Sequence, residues 1–437
     1  MSKDIKEPKL RPIEKLTKPL THFLHIEATS GLVLLVATIA AIVVANSPYE
    51  KFYSDFWNTL LNISIGEAGL SYPLWYWVND GLMTIFFFLV GLEIKREIVS
   101  GELREVRRVI SPAVAAIGGA VVPAAIFIFL LGDNPGMEGW AVPMATDIAF
   151  VVGVLAILGK RVPQGLKVFL LALAIVDDII AVLVIAVFYS GALSFLSLFL
   201  AALGVVLIVV MNKLGVRSLT AYILTGSFVW LATLKSGIHP TIAGVVLGFL
   251  TPALPFISKE KLKVGLKETI DYLNKTDSSQ ETPKIKESID ALSFTATESI
   301  SPLERLEKGI HPWAAFLIMP IFALANAGVP FSLDAVSSSL SVSIITALFI
   351  GKPLGIVLSL LILVKFGLGI KPGGANWLAL IGGGCLAGIG FTMSLFVASL
   401  SMEGALLVNA KMGVLVGSAL SGVTGFLLLF FSLSKNR

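Results

Sequence analysis

The sequence contains a single cysteine and few charged residues. Asp, Glu, Lys and Arg together make up 14% of the 437 residues, whereas a soluble domain carries roughly 25%. The single cysteine, Cys385, excludes a disulfide framework or a thiolate metal cluster within one chain. A phosphate-binding loop of the GxxxxGKS or GxxxxGKT type is also absent, so ATP hydrolysis is not the expected energy source. Apolar residues account for 56% of the chain, and this excess predicts a membrane protein.

Apolar runs of membrane-spanning length recur along the whole sequence. A spanning helix needs about 20 predominantly apolar residues, and about twelve segments approach that length. They are approximately Ser30–Asn46, Trp75–Ile94, Val106–Leu131, Trp140–Leu158, Leu166–Tyr189, Leu193–Met211, Ser218–Leu234, Ile238–Phe256, Pro312–Ala327, Val342–Val364, Trp377–Leu400 and Leu406–Leu433. The predicted fold class is therefore an all-α polytopic membrane protein, with one integral membrane domain over residues 1–437.

Most basic residues lie in alternate loops, and the opposite loops are nearly devoid of them. The basic loops include Lys95 and Arg96, Arg107 and Arg108, Lys160 and Arg161, and Lys213 and Arg217. The loops between them, such as GDNPGMEG and YSGALS, contain no Lys or Arg. Because cytoplasmic loops are enriched in Lys and Arg, this pattern places both chain termini in the cytoplasm.

Three polar segments interrupt the apolar pattern. The external segment Tyr49–Pro73 contains strand-forming residues and turn glycines, which predict a short hairpin. The cytoplasmic N-terminal segment 1–28 and the cytoplasmic insertion 257–304 both contain apolar residues at helical spacing. These residues are Ile13, Leu16, Leu20 and Leu24 in the first segment, and Leu262, Leu266, Ile270 and Leu273 in the second. The spacing predicts helices lying on the membrane surface, with a partner-binding site as the alternative.

Two adjacent carboxylates, Asp177 and Asp178, lie in the middle of the fifth predicted span. An ionised carboxylate at the centre of a membrane costs roughly 2.5–3.5 kcal/mol on insertion scales. Two such groups are therefore unexpected in a segment that only holds a scaffold together. They indicate a water-accessible cavity that binds cations, protons or both.

Two of the predicted spans contain helix-breaking residues. Pro143 precedes Thr146 and Asp147 in the fourth span, and the eleventh span contains the glycine-rich sequence GGGCLAGIG. These spans are an odd number of crossings apart, so they run in opposite senses. Spans three to five and ten to twelve would then be inverted repeats, with two broken helices crossing at a transport site near the membrane midplane. Close packing of small residues is the alternative explanation of the glycines.

A lysine, Lys352, lies inside the tenth predicted span. A buried ammonium group needs a counter-charge, because its transfer out of water is otherwise very costly. We expect Lys352 to pair with Asp177, or to compensate the partial negative ends of the interrupted helices. A purely structural ion pair is the alternative.

Charged and titratable residues also mark the ends of other spans. Asp80 lies near the outer end of the second span, and Glu93 follows about 20 Å further along the same helix. Glu93 belongs to the sequence LEIKRE, which lies at the cytoplasmic mouth. His239 begins the eighth span from outside and can titrate near neutral pH, although a histidine at a helix end is more often a cap.

Eight sequence motifs, spread over nearly the whole chain, are similar to those of a known family. They are HFLHIEATSGLVLL, NDGLMTIFFFLVGLEIKRE, MATDIAFVVGVL, AIVDDIIAVLVIAVFY, SGIHPTIAGV, HPWAAFLIMPIFALANAGV, GKPLGI and GIGFTMSLF. Their order and spacing resemble those of the NhaA-type sodium/proton antiporter family. The resemblance implies a secondary active transporter, not an enzyme, in a bacterial inner membrane. It would exchange cytoplasmic Na⁺ or Li⁺ for external protons, electrogenically and under pH control.

The resemblance also implies roles for individual residues. Asp177 and Asp178 would bind the transported ions and protons, Thr146 and Asp147 would lie where the broken helices cross, and Lys352 would be the buried counter-charge. The residues implied in pH response are Glu93, Arg96, Glu97, Glu307 and His239, and Asp80 would lie on the periplasmic side. Two departures from the family's pattern bear on the pH profile. Lys308 lies where a familiar relative has histidine, and the insertion 257–304 is longer than is usual in the family.

The resemblance implies no cofactor beyond the transported ions, and no nucleic acid. The expected partners are the lipid bilayer and a second copy of the chain, which would form a homodimer.

A sodium-coupled solute symporter could share this architecture, and uptake that needs an organic solute would identify it. An intramembrane aspartyl protease also needs two membrane aspartates, but on different helices that face each other. Adjacent residues of one helix point about 100° apart, which argues against Asp177 and Asp178 as that pair, although Asp147 could face Asp177.

Overall fold

We analysed a computed structural model of the chain, which describes residues 27–66, 68–101, 104–216, 218–275 and 283–434. The amphipathic helix predicted within residues 1–28 lies almost wholly outside these residues, as does Arg217 of the basic loops.

The described residues form a mainly helical structure. In chain order, the helices are α1 Glu27–Ala45, α2 Glu50–Asn58, α3 Met83–Ser100, α4 Val106–Leu131, α5 Ile148–Leu158, α6 Gln164–Phe188, α7 Phe195–Lys213, α8 Leu219–Leu234, α9 Thr241–Leu250, α10 Lys259–Lys275, α11 Pro283–Glu298, α12 Pro302–Trp313, α13 Met319–Asn326, α14 Leu333–Ser337, α15 Ser339–Thr346, α16 Lys352–Lys365, α17 Trp377–Ala387, α18 Phe391–Ser401 and α19 Gly404–Ser434. π-Helical turns at Trp77–Leu82, Ala314–Ile318 and Ala347–Gly351 lead into α3, α13 and α16, and a 3₁₀-helix, Met137–Met144, precedes α5.

The membrane-spanning character predicted from the apolar runs agrees with these helices. Within the described residues, 7 helical segments are long and apolar enough to cross a membrane, or up to 9 if each bent pair of helices is one span. The chain is therefore a polytopic membrane protein. The count of twelve spans and the inverted repeats stay predictions, as does the single domain.

One predicted span is shorter than the apolar run that suggested it. The run Ile238–Phe256 forms only the 10-residue helix α9, Thr241–Leu250. Pro240 precedes this helix and Pro252 follows it closely. Because proline has no N–H and disfavours helical geometry in the residue before it, these two residues confine the helix.

The predicted hairpin is confirmed, and its external location stays a prediction. Strands β1, Leu60–Ile65, and β2, Ala68–Pro73, pair antiparallel, with Leu60 opposite Pro73 and Ile65 opposite Ala68. Gly66 follows β1 with φ of 62°, a left-handed conformation that costs glycine little because it has no β-carbon. The turn glycine thus fixes where the first strand ends.

The chain folds into two compact units, and the first contains the interrupted helices. This unit comprises Met1–Met83, Glu105–Gly191 and Pro312–Arg437. Within it α4 packs along α16, where the backbones approach so closely that a β-carbon on Gly355 would overlap the carbonyl group of Gly118. Small residues permit this approach. As a result Lys352, at the start of α16, lies in the interior and is fully buried.

The second unit comprises Thr84–Arg104 and Ala192–His311. Its apolar core is formed by α7, α8 and α9, which contribute Ile208, Val229 and Ala243. The backbone of α3 lies against α9, because a β-carbon on Gly244 would overlap the carbonyl group of Thr84. The insertion forms α10 and α11, which pack on one another as a helical hairpin.

Candidate ion-binding site

The two interrupted helices meet at their breaks. The chain is not helical at residues 145–147, between the 3₁₀-helix and α5, or at residues 388–390, between α17 and α18. The Asp147 N–H donates to the carbonyl oxygen of Ile389 at 2.6 Å. The Thr146 hydroxyl donates to the carbonyl oxygen of Ala387 at 2.8 Å. Backbone groups left without helical partners at one break are therefore satisfied by the other break, as buried polar groups must be.

Asp147 connects the first turns of two helices. Its Oδ1 accepts a hydrogen bond from the Phe150 N–H at 3.4 Å and caps α5. Its Oδ2 accepts from the Thr392 N–H at 3.1 Å and from the Thr392 hydroxyl at 2.5 Å, in the first turn of α18. The partial positive charges of both helix N-termini therefore favour this buried carboxylate.

Lys352 contacts both of the partners that the sequence suggested as alternatives. Its Nζ lies 2.7 Å from Oδ2 of Asp177, and Lys352 and Asp177 are 0% and 2% exposed. The same ammonium group donates to the carbonyl oxygen of Met144, the last residue of the 3₁₀-helix before the break. Lys352 therefore balances a carboxylate and also the partial negative end of an interrupted helix.

A π-helical turn places Lys352 at this point. The Lys352 N–H bonds to Ala347 O, one residue further back than in an α-helix. Pro353 follows directly and has no N–H to donate, so the regular bonding ladder of an α-helix cannot run through this position. The proline of the GKPLGI sequence thus explains the local change of helical pitch.

One oxygen of Asp177 has no hydrogen-bond partner among the residues that the structure describes. Oδ1 of Asp177 is buried and accepts no hydrogen bond from the described residues. The neighbouring Asp178 is also buried, with 8% of its surface exposed. Since nearly all buried polar atoms in proteins have a hydrogen-bond partner, the bare oxygen of Asp177 is an exception that needs an explanation.

The contacts made by Thr392 and by the main-chain carbonyls were not among the predictions from the sequence. Thr392 follows Gly390 in the GIGFTMSLF motif, immediately after the second break. That position gave a usable signal, because the first turn of a helix has free N–H groups that attract a carboxylate. The carbonyl oxygens of Met144, Ala387 and Ile389 gave no signal, since their role depends only on where the chain breaks.

We expect the hydrogen bond from the Thr392 hydroxyl to Asp147 to stabilise the crossing. Replacing Thr392 with Val keeps the shape of the side chain but removes one of the two donors to Oδ2. The free energy of unfolding should fall by about 1.5–3 kcal/mol, the usual contribution of a hydrogen bond to a charged group. Thermal unfolding in detergent measures this change. Thr346→Val is the matched control, because the Thr346 hydroxyl bonds only within its own helix, to Val342 O at 2.8 Å; equal losses in the two variants would contradict the assignment.

The charged residues predicted at the cytoplasmic mouth form a cluster in the second unit. Arg96 donates through Nη2 to Oε1 of Glu97 at 2.9 Å and through Nη1 to Oε1 of Glu307, in α12. Glu93 lies three residues before Arg96 in α3, on the same helix face. One arginine therefore bonds two carboxylates from two helices, and Glu93 is close enough to interact with it electrostatically.

Two other predicted residues, His239 and Asp80, are not part of this cluster. Nδ1 of His239 lies 2.7 Å from the hydroxyl oxygen of Thr241, at the start of α9. Lys95, next to the cluster, instead reaches the carbonyl oxygen of Thr251 at the other end of α9, at 2.6 Å. In the first unit, Asp80 is buried in the π-helical turn Trp77–Leu82. His239 therefore has a local helix-start contact, and the roles of both residues stay predictions.

Comparison with known proteins identifies the family. The model of the family described as Na⁺/H⁺ antiporter 1 matches residues 21–429. The Na⁺/H⁺ antiporter NhaA of Rhodopirellula baltica is 45% identical, covering 98% of this chain and 97% of the relative. NhaA of Rhizobium meliloti is 43% identical over 98% of this chain and 97% of its own. NhaA 2 of Acidiphilium cryptum is 45% identical over 95% and 93%.

These relatives all carry the name of an antiporter, which gives no support to the solute symporter or the aspartyl protease. The match covers nearly the full length of each relative, so it includes both breaks, Lys352 and the aspartate pair. The chain therefore belongs to the Na⁺/H⁺ antiporter family of NhaA proteins.

Proposed function

We propose that this protein exchanges cytoplasmic Na⁺ or Li⁺ for external protons across the bacterial inner membrane. Family membership supports the exchange of Na⁺ and H⁺. The observation that carries the proposal to particular residues is the buried Oδ1 of Asp177, which has no hydrogen-bond partner among the described residues.

The hydrogen bonds around Asp177 favour a proton or a cation as its missing partner. The hydroxyl of Thr146 lies beside the Asp177 carboxylate and also contacts Ala387 O at 2.8 Å. The oxygen atoms of Thr146 and Asp177 are therefore close together in a buried site, where they would stabilise a proton or a hard cation. Carboxylate and hydroxyl oxygens are also the ligand types that suit such cations.

Asp178 would complete a site in which protons and Na⁺ compete. The two aspartates are adjacent in α6, and Lys352 can neutralise only one carboxylate charge. If two protons leave as one Na⁺ enters, one net charge crosses the membrane in each cycle. A membrane potential then acts on the exchange with about 2.3 kcal/mol per charge per 100 mV. Electrogenic exchange is thus what this balance of charges supports.

The Arg96 cluster supports control of the exchange by pH. Arg96 bonds to Glu97 and Glu307, and each of these contacts depends on an ionised carboxylate. Protonation of Glu307 weakens the link between α3 and α12, and protonation of Glu97 weakens the contact within α3. The neighbouring Glu93 adds a third carboxylate that competes for the same guanidinium group. Cytoplasmic acidification would therefore loosen the cluster.

Everted membrane vesicles test the proposed exchange directly. After a pH gradient is established across the vesicle membrane, we expect Na⁺ and Li⁺ to collapse it and K⁺ to leave it intact. Vesicles from cells without the protein are the control. No response to any of these cations between acidic and alkaline pH would refute exchange. A response that requires an added organic solute would instead identify a symporter.

A further inference from the structure

The hairpin formed by α10 and α11 is fastened at its base. The Ile257 N–H donates to the carbonyl oxygen of Glu298 at 3.1 Å, and the Glu298 carboxylate contacts Arg305 Nη1 at 3.4 Å. Arg305 lies in the first turns of α12, which opens the candidate membrane span Pro302–Asn326. These contacts hold the base of the hairpin where the chain enters the membrane. The base of the hairpin therefore lies close to the surface of the bilayer.

The side of α10 that packs against α11 differs from its exposed side. Leu262 is half-buried, and a β-carbon on Gly265 would lie 3.9 Å from Cγ2 of Thr295 in α11. On another side of the helix, Leu266 and Ile270 are 39% and 53% exposed. The spacing Leu262, Leu266, Ile270, which predicted an amphipathic helix, thus turns gradually away from α11 and leaves its second half uncovered.

Two lysines lie beside this uncovered apolar strip. At about 100° per residue, the Cα atoms of Lys263, Leu266, Lys267 and Ile270 fall within an arc of about 100° on α10. Both lysine side chains are exposed. Glu260 lies at the edge of the arc, beyond Lys267, so the strip carries a positive excess. Apolar side chains bordered by lysines on a polar helix are typical of helices that lie in the interface of anionic membranes.

We propose that the strip formed by Lys263, Leu266, Lys267 and Ile270 docks on anionic phospholipid headgroups of the cytoplasmic leaflet. The two apolar side chains would enter the headgroup region, and the two ammonium groups would contact lipid phosphates. Lysines alone would suit an acidic protein equally well. The membrane is the better occupant because the fastened base keeps the strip within about 20 Å, measured along α10, of the point where the chain enters the membrane, and because leucine and isoleucine share the strip.

Spin labels on the full-length protein test this proposal. Cys385 is 4% exposed, so labelling of the wild-type protein measures the background from this residue. One variant, Ile270→Cys, labels the strip, and Val264→Cys labels an equally exposed residue about 120° away on the same helix. Each protein is placed in nanodiscs of phosphatidylcholine alone or of phosphatidylcholine mixed with phosphatidylglycerol. Accessibility to oxygen and to a water-soluble nickel chelate reports the depth of the label.

We expect the label at position 270 to gain oxygen accessibility and lose nickel accessibility only in the anionic nanodiscs, while the label at position 264 stays in water. High salt should reverse the change, because it screens exposed charges. Adding Lys263→Gln and Lys267→Gln should abolish the change, whereas Lys261→Gln, on the opposite side of α10, should not.

Two results would overturn the proposal. A label at position 270 that stays in water in both kinds of nanodisc would exclude docking of this strip. Equal burial in neutral and anionic nanodiscs, unaffected by the lysine changes, would exclude recognition of headgroups. Neither measurement depends on ion exchange, so the outcome is independent of the proposed function.

Discussion

Asp178→Asn is expected to abolish Na⁺-dependent proton release in everted vesicles while the protein still inserts and folds. Asn has almost the same shape as Asp, but it can neither release a proton nor carry the negative charge that attracts a cation. Asp178 is buried within α6, where a charge that contributes nothing to function would only impose a desolvation cost. We therefore expect exchange to fall to the level of vesicles without the protein.

A matched control separates loss of the site from a general effect of the substitution. Asp334→Asn makes the same chemical change at an exposed position of α14 and should leave exchange unaltered. Size-exclusion profiles and thermal unfolding in detergent show whether Asp178→Asn is folded. A folded variant that exchanges Na⁺ at the wild-type rate would refute the assignment of Asp178 to the ion site.

Much of the fold follows from local signals in the sequence. Helix α4 occupies Val106–Leu131, the same residues as the apolar run that predicted it, because bilayer thickness and helical rise set its length. The hairpin was predictable because its turn glycine and alternating strand residues lie within a few positions of one another. The breaks after Pro143 and near Gly388 were predictable because proline and glycine weaken a helix wherever they occur.

The remaining features depend on distant parts of the chain. Thr392 and Asp147 are 245 positions apart, and nothing near either residue specifies that a carboxylate will meet that N–H and hydroxyl. The contact from Lys352 to Met144 O likewise arises only after both helices have formed and packed. The length of the apolar run also did not predict that α9 is so short. The apolar residues before Pro240 and after Pro252 are not helical. Tertiary packing, not local preference, determines these details.

The pair formed by Lys352 and Asp177 should show strong coupling in stability. We expect Asp177→Asn and Lys352→Gln each to lower the free energy of unfolding by about 3–5 kcal/mol, because each leaves one buried charge without its partner. The double variant should be more stable than either single variant, since it leaves neither charge buried alone. Its Gln side chain can still donate to Met144 O. Lys365→Gln, in the exposed last turn of α16, is the control and should change stability little.

The same variants decide whether Lys352 is a counter-ion or a proton carrier. We expect it to act as a counter-ion, because its ammonium group is fully buried and held by both Asp177 Oδ2 and Met144 O. A lysine that acts as a counter-ion keeps its own proton throughout the transport cycle. Lys352→Gln should therefore slow exchange without altering the charge moved per Na⁺. A proton carrier would take part in that charge balance, and its loss would change the ratio. Membrane-potential measurements on proteoliposomes give this ratio. An altered ratio in Lys352→Gln, with the Lys365→Gln control unchanged, would exclude the counter-ion role and assign one transported proton to the lysine.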